Sequence, residues 1–217
     1  MATNAHSNTR KKSQLTRGHK KKARTRQQLL DAALRIYARA GVGGLALNAL
    51  AEEAGVSNGT IYNYFRSREQ VLEAVGLELA IQLSEQVLVA SEAVDSGAER
   101  LCIAVRTFMN KALSDPDWTR ALISVVRYAE GMRSALGSYL RADLQAGHRQ
   151  GDFHYANEEM AMSIVISATL GAMNLLVEQG PVEHADRIAA KMVLQALGVP
   201  DEQARHIAEL PLPGAQG

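Results

Sequence analysis

Hydrophobic residues along this chain recur at helical spacing. Between Gln27 and Ala40, Leu30, Ala33, Leu34 and Tyr37 fall at i, i+3, i+4 and i+7, one apolar stripe of an amphipathic helix. Gly41, Gly43 and Gly44 end that helix, because glycine suits a left-handed cap. A second short pattern, Leu47, Leu50, Ala51 and Ala54, is broken by Gly55 and followed by Val56 and Ser57, a good N-cap. A third short helix carries Ile61 and Phe65. Ser67 and Gln70 stand at capping-box spacing, and Leu72, Val75, Leu79 and Leu83 run on as a long fourth helix. Coarser helical patterns cover 97–114, 117–130, 132–150, 157–179 and 184–198. Asp115-Pro116, Gly151-Asp152, Gly180-Pro181 and Gly198-Val199-Pro200 punctuate them. No long alternating run and no hairpin signal occurs, so the expected fold is all-α. The tail from Glu209, with Pro211 and Pro213, is expected to fray.

The 217 residues allow one large domain or two small ones, and 47% apolar with 22% charged residues describes a folded chain rather than a disordered or fibrous one. No run approaches the roughly 20 continuous apolar residues of a membrane span. No apolar run follows the basic start, so no secretory signal is read. The single cysteine, Cys102, excludes an intramolecular disulfide and reads as a small core residue. A cytoplasmic protein with no membrane partner is the expectation. The net charge of +1 hides an asymmetry: residues 1–26 hold nine basic side chains and no acid, which leaves 15 basic against 23 acidic residues in the rest. A cationic arm on an anionic body is attracted to polyanions, nucleic acid above all. The arm is poor in apolar residues and is expected to lack fixed structure on its own.

Residues 46–65 have helix-turn-helix spacing. A small residue is needed where the two helices cross, and Ala51 supplies it; the turn needs a residue that tolerates positive φ, and Gly55 supplies it. Leu50, Val56, Ile61 and Phe65 would lock the pair against the first helix. That leaves Asn58, Thr60, Tyr62, Asn63 and Tyr64 as a polar, aromatic outer face able to hydrogen-bond phosphates and base edges. Other motif matches are read as coincidence. Asn58-Gly59-Thr60 is a glycosylation sequon in a chain read as cytoplasmic. The Gly-x-Ser-x-Gly of residues 55–59 lacks the strand that a nucleophile elbow requires. His148, His154, Glu158 and Glu159 match no strong metal-ligand spacing, so no metal and no cofactor is expected. Asp143 and Arg127 are read as solvated.

The run from Gly55 to Phe65, then Ser67-Arg68-Glu69 and Leu72, resembles the DNA-binding signature of the tetracycline-repressor family of bacterial transcription regulators. Ala32-Ala33 through Gly41, and Leu50 through Ala54, fit the same pattern, over residues 24–78 in all. The resemblance implies an arm at 1–22, a helix-turn-helix domain at 23–67 and a helical ligand-binding and dimerisation domain at 68–217. It places the third helix in the DNA major groove. Asn58, Gly59 and Thr60, capped by Ser57, would lie near bases and phosphates. Tyr62 would reach a thymine methyl or a phosphate, and Asn63 and Tyr64 backbone oxygens. Arg68, where the family usually has Lys, would contact phosphate; Asn48 would contact a base, and Arg24 and Thr25 would approach the backbone. Two departures stand out. Ala46 replaces a usual Thr or Ser and cannot cap the second helix. Asn58 replaces a usual cation, which the basic arm is expected to offset.

Met160–Val177 is apolar nearly all round, so it must be covered on more than one side. Either a monomer core or a dimer interface with helix 184–198 fits, and the resemblance favours a homodimer on a palindromic double-stranded DNA operator. The resemblance also implies a small-molecule effector pocket in this half. Phe108, Met109, Trp118, Ile123, Tyr128, Met132, Tyr139, Met162 and Met173 are its candidate lining. The reading is a repressor released by an apolar or amphipathic effector. Its rivals are a ligand-binding helical protein with little DNA role, an activator of the same fold, and an enzyme, which no supported catalytic constellation favours.

Overall fold

The computed structural model describes residues 17–213, and within them the chain is helical without strands. In chain order the helices are α1 (Arg17–Ala40), α2 (Leu47–Glu53), α3 (Asn58–Ile61), α4 (Arg68–Ser91), α5 (Gly97–Ser114), α6 (Pro116–Val126), α7 (Glu130–Gln150), α8 (Glu158–Gln179), α9 (Ala185–Ala196) and α10 (Asp201–Glu209). A one-turn 3₁₀ helix, Val42–Gly44, follows α1.

Local chemistry sets most of the boundaries. Ser57, Ser67, Ser96, Asp115 and Asn157 each accept a hydrogen bond from a backbone N–H in the first turn of the helix they precede. These bonds satisfy donors that a helix end leaves free. At α4 the Gln70 side chain also returns to the Arg66 N–H at 2.8 Å, one residue upstream of the usual capping box. Ala46 precedes α2 with no side-chain cap, as its methyl dictates.

Four boundaries differ from the sequence expectation. α1 starts at Arg17 rather than near Arg24, because Lys, Arg, Ala and Gln are good helix formers even without an apolar stripe. Lys20, Lys21, Lys22, Arg24 and Arg26 are therefore exposed on its leading turns, while Arg10, Lys11 and Lys12 of the expected arm lie outside the described residues. α3 is only four residues; Tyr62–Tyr64 follow in tight turns, with Asn63 and Tyr64 donating to the carbonyls three residues back. Its β-branched and aromatic residues are weak helix formers, and burial of Phe65 turns the chain inward. α6 stops at Val126, where Tyr128 and Ala129 both donate to the Val125 carbonyl. α10 went unforeseen, since only Ala204, Ile207 and Ala208 of its residues are buried.

Two apolar cores result. The first joins Leu29, Leu30, Tyr37, Leu50, Ile61 and Phe65 of the N-terminal helices and the turn after α3 to Val75 and Leu83 of α4, Leu122 and Val125 of α6, Met132 of α7 and Met173 of α8. The second packs α5, α7, α8, α9 and α10 around Leu101, Cys102, Leu144, Phe153, Val193 and Ile207. There α5 crosses α7 at Gly97 and Gly147, where a Cβ on Gly97 would collide with the Gly147 backbone. Burial pushes the Cys102 thiol up to about 11, and its Sγ lies 3.6 Å from the Ile207 carbonyl, so it behaves as the core residue its composition suggested. α4 and α8 are long and apolar enough, by length and composition, to cross a membrane. Here α4 buries Val71, Val75, Leu79 and Leu83, and α8 buries Met162, Val165, Met173 and Leu176, in these cores.

A carboxylate clamp ties α2 to α1. Glu53 accepts from Arg39 at 2.7 Å and from Arg35 at 2.8 Å. The two guanidinium groups, Arg39 first, hold its carboxyl down at about 2. A depressed carboxylate stabilises the fold above its unfolded pKa, and that contribution is lost as pH falls through the folded value. Glu53→Gln is therefore expected to melt below wild type at neutral pH. The gap should narrow below about pH 4.5 and close near pH 2, as read by thermal unfolding across pH.

Candidate nucleic-acid interface and ligand cavity

The helix-turn-helix is assembled as its spacing requires. Ala51 is buried at the crossing, Val56 donates to the Ala51 carbonyl at 2.9 Å, and Gly55 takes φ 65°. Leu50, Ile61 and Phe65 face inward. Asn48, Ser57, Asn58, Gly59, Tyr62 and Asn63 are the residues of the motif at or near the surface, Tyr62 at 55% exposure. An open groove runs between α2 and the start of α3, lined by Ala46, Asn48, Ala49, Glu52, Val56, Ser57 and Asn58. Ser57 and Thr60 are engaged with each other, Oγ to Oγ1 at 2.8 Å, and Thr60 is half-buried. Tyr64 is also half-buried and packs on the first core, so it offers less to solvent than its position in the motif suggested. Arg24 is exposed, Thr25 lies on the same leading turns of α1, and Arg68 is exposed at the start of α4. Arg66 was not singled out from the sequence; it is exposed two residues before Arg68, and that basic pair was the available signal.

The larger helices enclose a cavity of about 280 Å³. Of the sequence candidates, Phe108, Met132, Tyr139 and Met173 line it. The other five do not. Met109 is wholly buried in the first core, and Met162 packs in the second. Trp118 is buried with its indole N–H donated to Gln82 at 3.1 Å and the Lys111 ammonium over its ring, so it braces α4 against α6. Ile123 is half-buried on α6 away from the lining, and Tyr128 is 60% exposed in the turn after α6. Helical period cannot separate an inward face that meets a neighbour from one that meets a void.

The polar lining was the larger omission. Arg100, Arg133, Asp143, Ser84, Ser91 and Thr169 all border the cavity. Asp143, read as solvated from sequence, is mostly buried and accepts from Arg100 Nε at 2.6 Å. Burial holds its carboxyl above the ordinary value against the pull of Arg100. Arg100 Nη1 is taken by the carbonyls of Val94 and Asp95 at 3.1 and 2.9 Å. Arg127 is exposed, as expected. Glu158 and Glu159 pair with Arg141, and His148 Nδ1 lies 3.0 Å from the Phe153 carbonyl. Among the described residues no group of three or more His, Cys, Asp or Glu is placed to hold a metal.

α4 connects the two sites. Arg68 starts it beside the reading edge, and Leu83 reaches the cavity, about 22 Å further along at 1.5 Å per residue. Two contacts tie α4 to the start of α7. Glu73 accepts from the Glu130 and Gly131 N–H groups at 3.1 and 3.3 Å. Gly76 lies so close to Ala129 and Met132 that a side chain there would not fit.

Known proteins match this arrangement. Residues 29–75 match the tetR family of bacterial regulatory proteins, and residues 96–210 match the tetracyclin repressor-like C-terminal domain. An uncharacterised HTH-type transcriptional regulator of Mycobacterium tuberculosis is 30% identical over 89 residues, 41% of this chain and 44% of that relative. The regulator BetI of Rhizobium meliloti is 28% identical over 167 residues, 76% of this chain and 70% of BetI. The crystal structure of RolR in complex with resorcinol superposes with a TM-score of 0.71 at 27% identity, covering 91% of this chain and 99% of RolR. The chain belongs to the tetracycline-repressor family of bacterial regulatory proteins.

Proposed function

We propose that this protein is a ligand-responsive transcription repressor that binds a palindromic operator as a homodimer and lets go when a small molecule fills the cavity. One observation carries the reading: an exposed polar edge from Asn48 to Asn63, backed by buried Leu50, Ile61 and Phe65, shares a single core with a closed-in apolar cavity. Residues 23–67 form the reading unit, and residues 68–217 hold ligand and partner. Asn48, Asn58 and Tyr62 contact base edges. Ser57, Gly59, Thr60, Asn63, Tyr64, Arg66 and Arg68, with Arg24 and Thr25, position the backbone. The cations on the leading turns of α1 oppose its own dipole, and phosphate relieves that.

The partner is a second copy. Met160, Ile164 and Leu175 of α8 and Ile188 and Met192 of α9 are exposed apolar side chains, with Gly171 and Ala168 between them. A two-fold axis through this face buries it and sets two reading edges one turn of DNA apart. A ligand shifts operator affinity by its preference between the dimer forms that fit and misfit that spacing. Met132 on the cavity wall and Glu73 at the α4–α7 joint give it a route to α4. RolR, with its bound resorcinol, supports a compact occupant.

Selection of bound DNA from a random pool should return an inverted repeat; a pool with no enriched sequence would overturn the reading. On that operator, Asn58→Ala and Tyr62→Ala should each cost about 1–3 kcal/mol and relax preference at particular bases. Lys20→Ala, Lys21→Ala and Lys22→Ala should weaken all sequences alike, lowering the slope of log K against log salt by about 0.9 for each phosphate left without its cation. Ile188→Glu with Met192→Glu should give a monomer by sedimentation and cut operator affinity by about 100-fold or more, because one reading edge spans half a site.

A further inference from the structure

The cavity is apolar except at a few side chains, and those side chains are not equally free. Ser91 commits its hydroxyl proton to the Val87 carbonyl at 2.7 Å. Arg133 Nη1 donates to the Arg127 carbonyl at 2.8 Å and stands in an exposed residue. Asp143 accepts Arg100 on Oδ1 alone, and its Oδ2 takes no hydrogen bond among the described residues. Thr169, from the opposite wall on α8, is 7% exposed, and its Oγ1 has no hydrogen-bond partner among the described residues. A buried hydroxyl without a partner is uncommon, so it marks a place where a hydrogen bond is missing.

Resting on the functional reading above, we infer that the effector is a compact, uncharged ring carrying hydroxyl groups, one donating to the free Asp143 oxygen and another meeting Thr169. Size and charge agree. A cavity of about 280 Å³ lies at the small end for ligand sites and admits a single ring with short substituents. The Arg100–Asp143 pair is internally neutral, so neither sign of ligand charge is answered in the interior, and an unanswered buried charge is heavily penalised. A carboxylate would meet Asp143 as a like charge. A plain hydrocarbon would fill the space and leave both oxygens as they are. Hydroxyl groups answer both, and failure to satisfy such groups is what gives hydrogen-bonding sites their discrimination.

The test is calorimetric titration of the full chain with toluene, benzoate, phenol and the three dihydroxybenzene isomers, in parallel with release of the selected operator by fluorescence anisotropy. At least one dihydroxybenzene should bind about tenfold or more tighter than toluene and than benzoate. Thr169→Val, which keeps shape and fold, should lower that affinity severalfold while leaving toluene unchanged. Replacing the pair together, Arg100→Met with Asp143→Leu, strands no charge and should erase the preference for hydroxylated rings. Toluene or benzoate binding as tightly as every diol, none of these compounds binding, or an unaltered preference in Thr169→Val would overturn the inference. If toluene alone releases the operator, the repressor reading stands and this one falls. If a diol binds as expected without changing operator affinity, the reverse holds.

Discussion

The structure turns on the burial of α1 against α6. Leu29, Leu30, Ala33 and Tyr37 are withdrawn from solvent together with Ala121, Leu122 and Val125, and the Ser124 hydroxyl reaches the Tyr37 carbonyl at 3.5 Å. The reading unit is thereby part of the same packed interior that contains the ligand cavity. Leu83, Leu122, Met132 and Met173 belong to this core and also form cavity wall. Protein interiors pack as densely as organic crystals, so a displaced wall residue moves its neighbours instead of compressing them. A change of contents in the cavity is felt at α1 and α4 without any dedicated relay.

The cavity has an energetic meaning of its own. At about 24 cal/mol for each Å³ of void, an empty space of 280 Å³ forgoes on the order of 7 kcal/mol of packing. That is a large share of the stability of an ordinary domain. A chain that keeps such a space open gains more from an occupant than from a tighter fold. The buried polar groups around it then decide which occupant is accepted.

Local signals made the fold and the reading edge legible in the sequence. Ser57, Ser67 and Gly55 act through neighbours three or four residues away, and the structure uses each for the purpose its chemistry suggests. The stripe of α8 was legible for the same reason. The cavity was not, because its wall is drawn from α4, α5, α6, α7 and α8, and no short window contains the pairing of Arg100 with Asp143, 43 residues apart. Trp118 and Met109 look like lining by residue type, yet Gln82 and the first core claim them. α10 escaped notice because a nine-residue helix that buries only three side chains leaves almost no periodic trace.

The crossing of Gly97 on Gly147 sets where the upper helices are able to yield. Backbone meets backbone there, with the Phe153 ring closing over Gly147. No side chain lies between the two helices at that point to change rotamer and absorb a shift. That end of α7 is a fulcrum, and rotation about it is magnified towards Glu130, at the far end of the helix, where it touches α4. The fold thus concentrates compliance at the extremity nearest the DNA-facing helices and denies it to the opposite one.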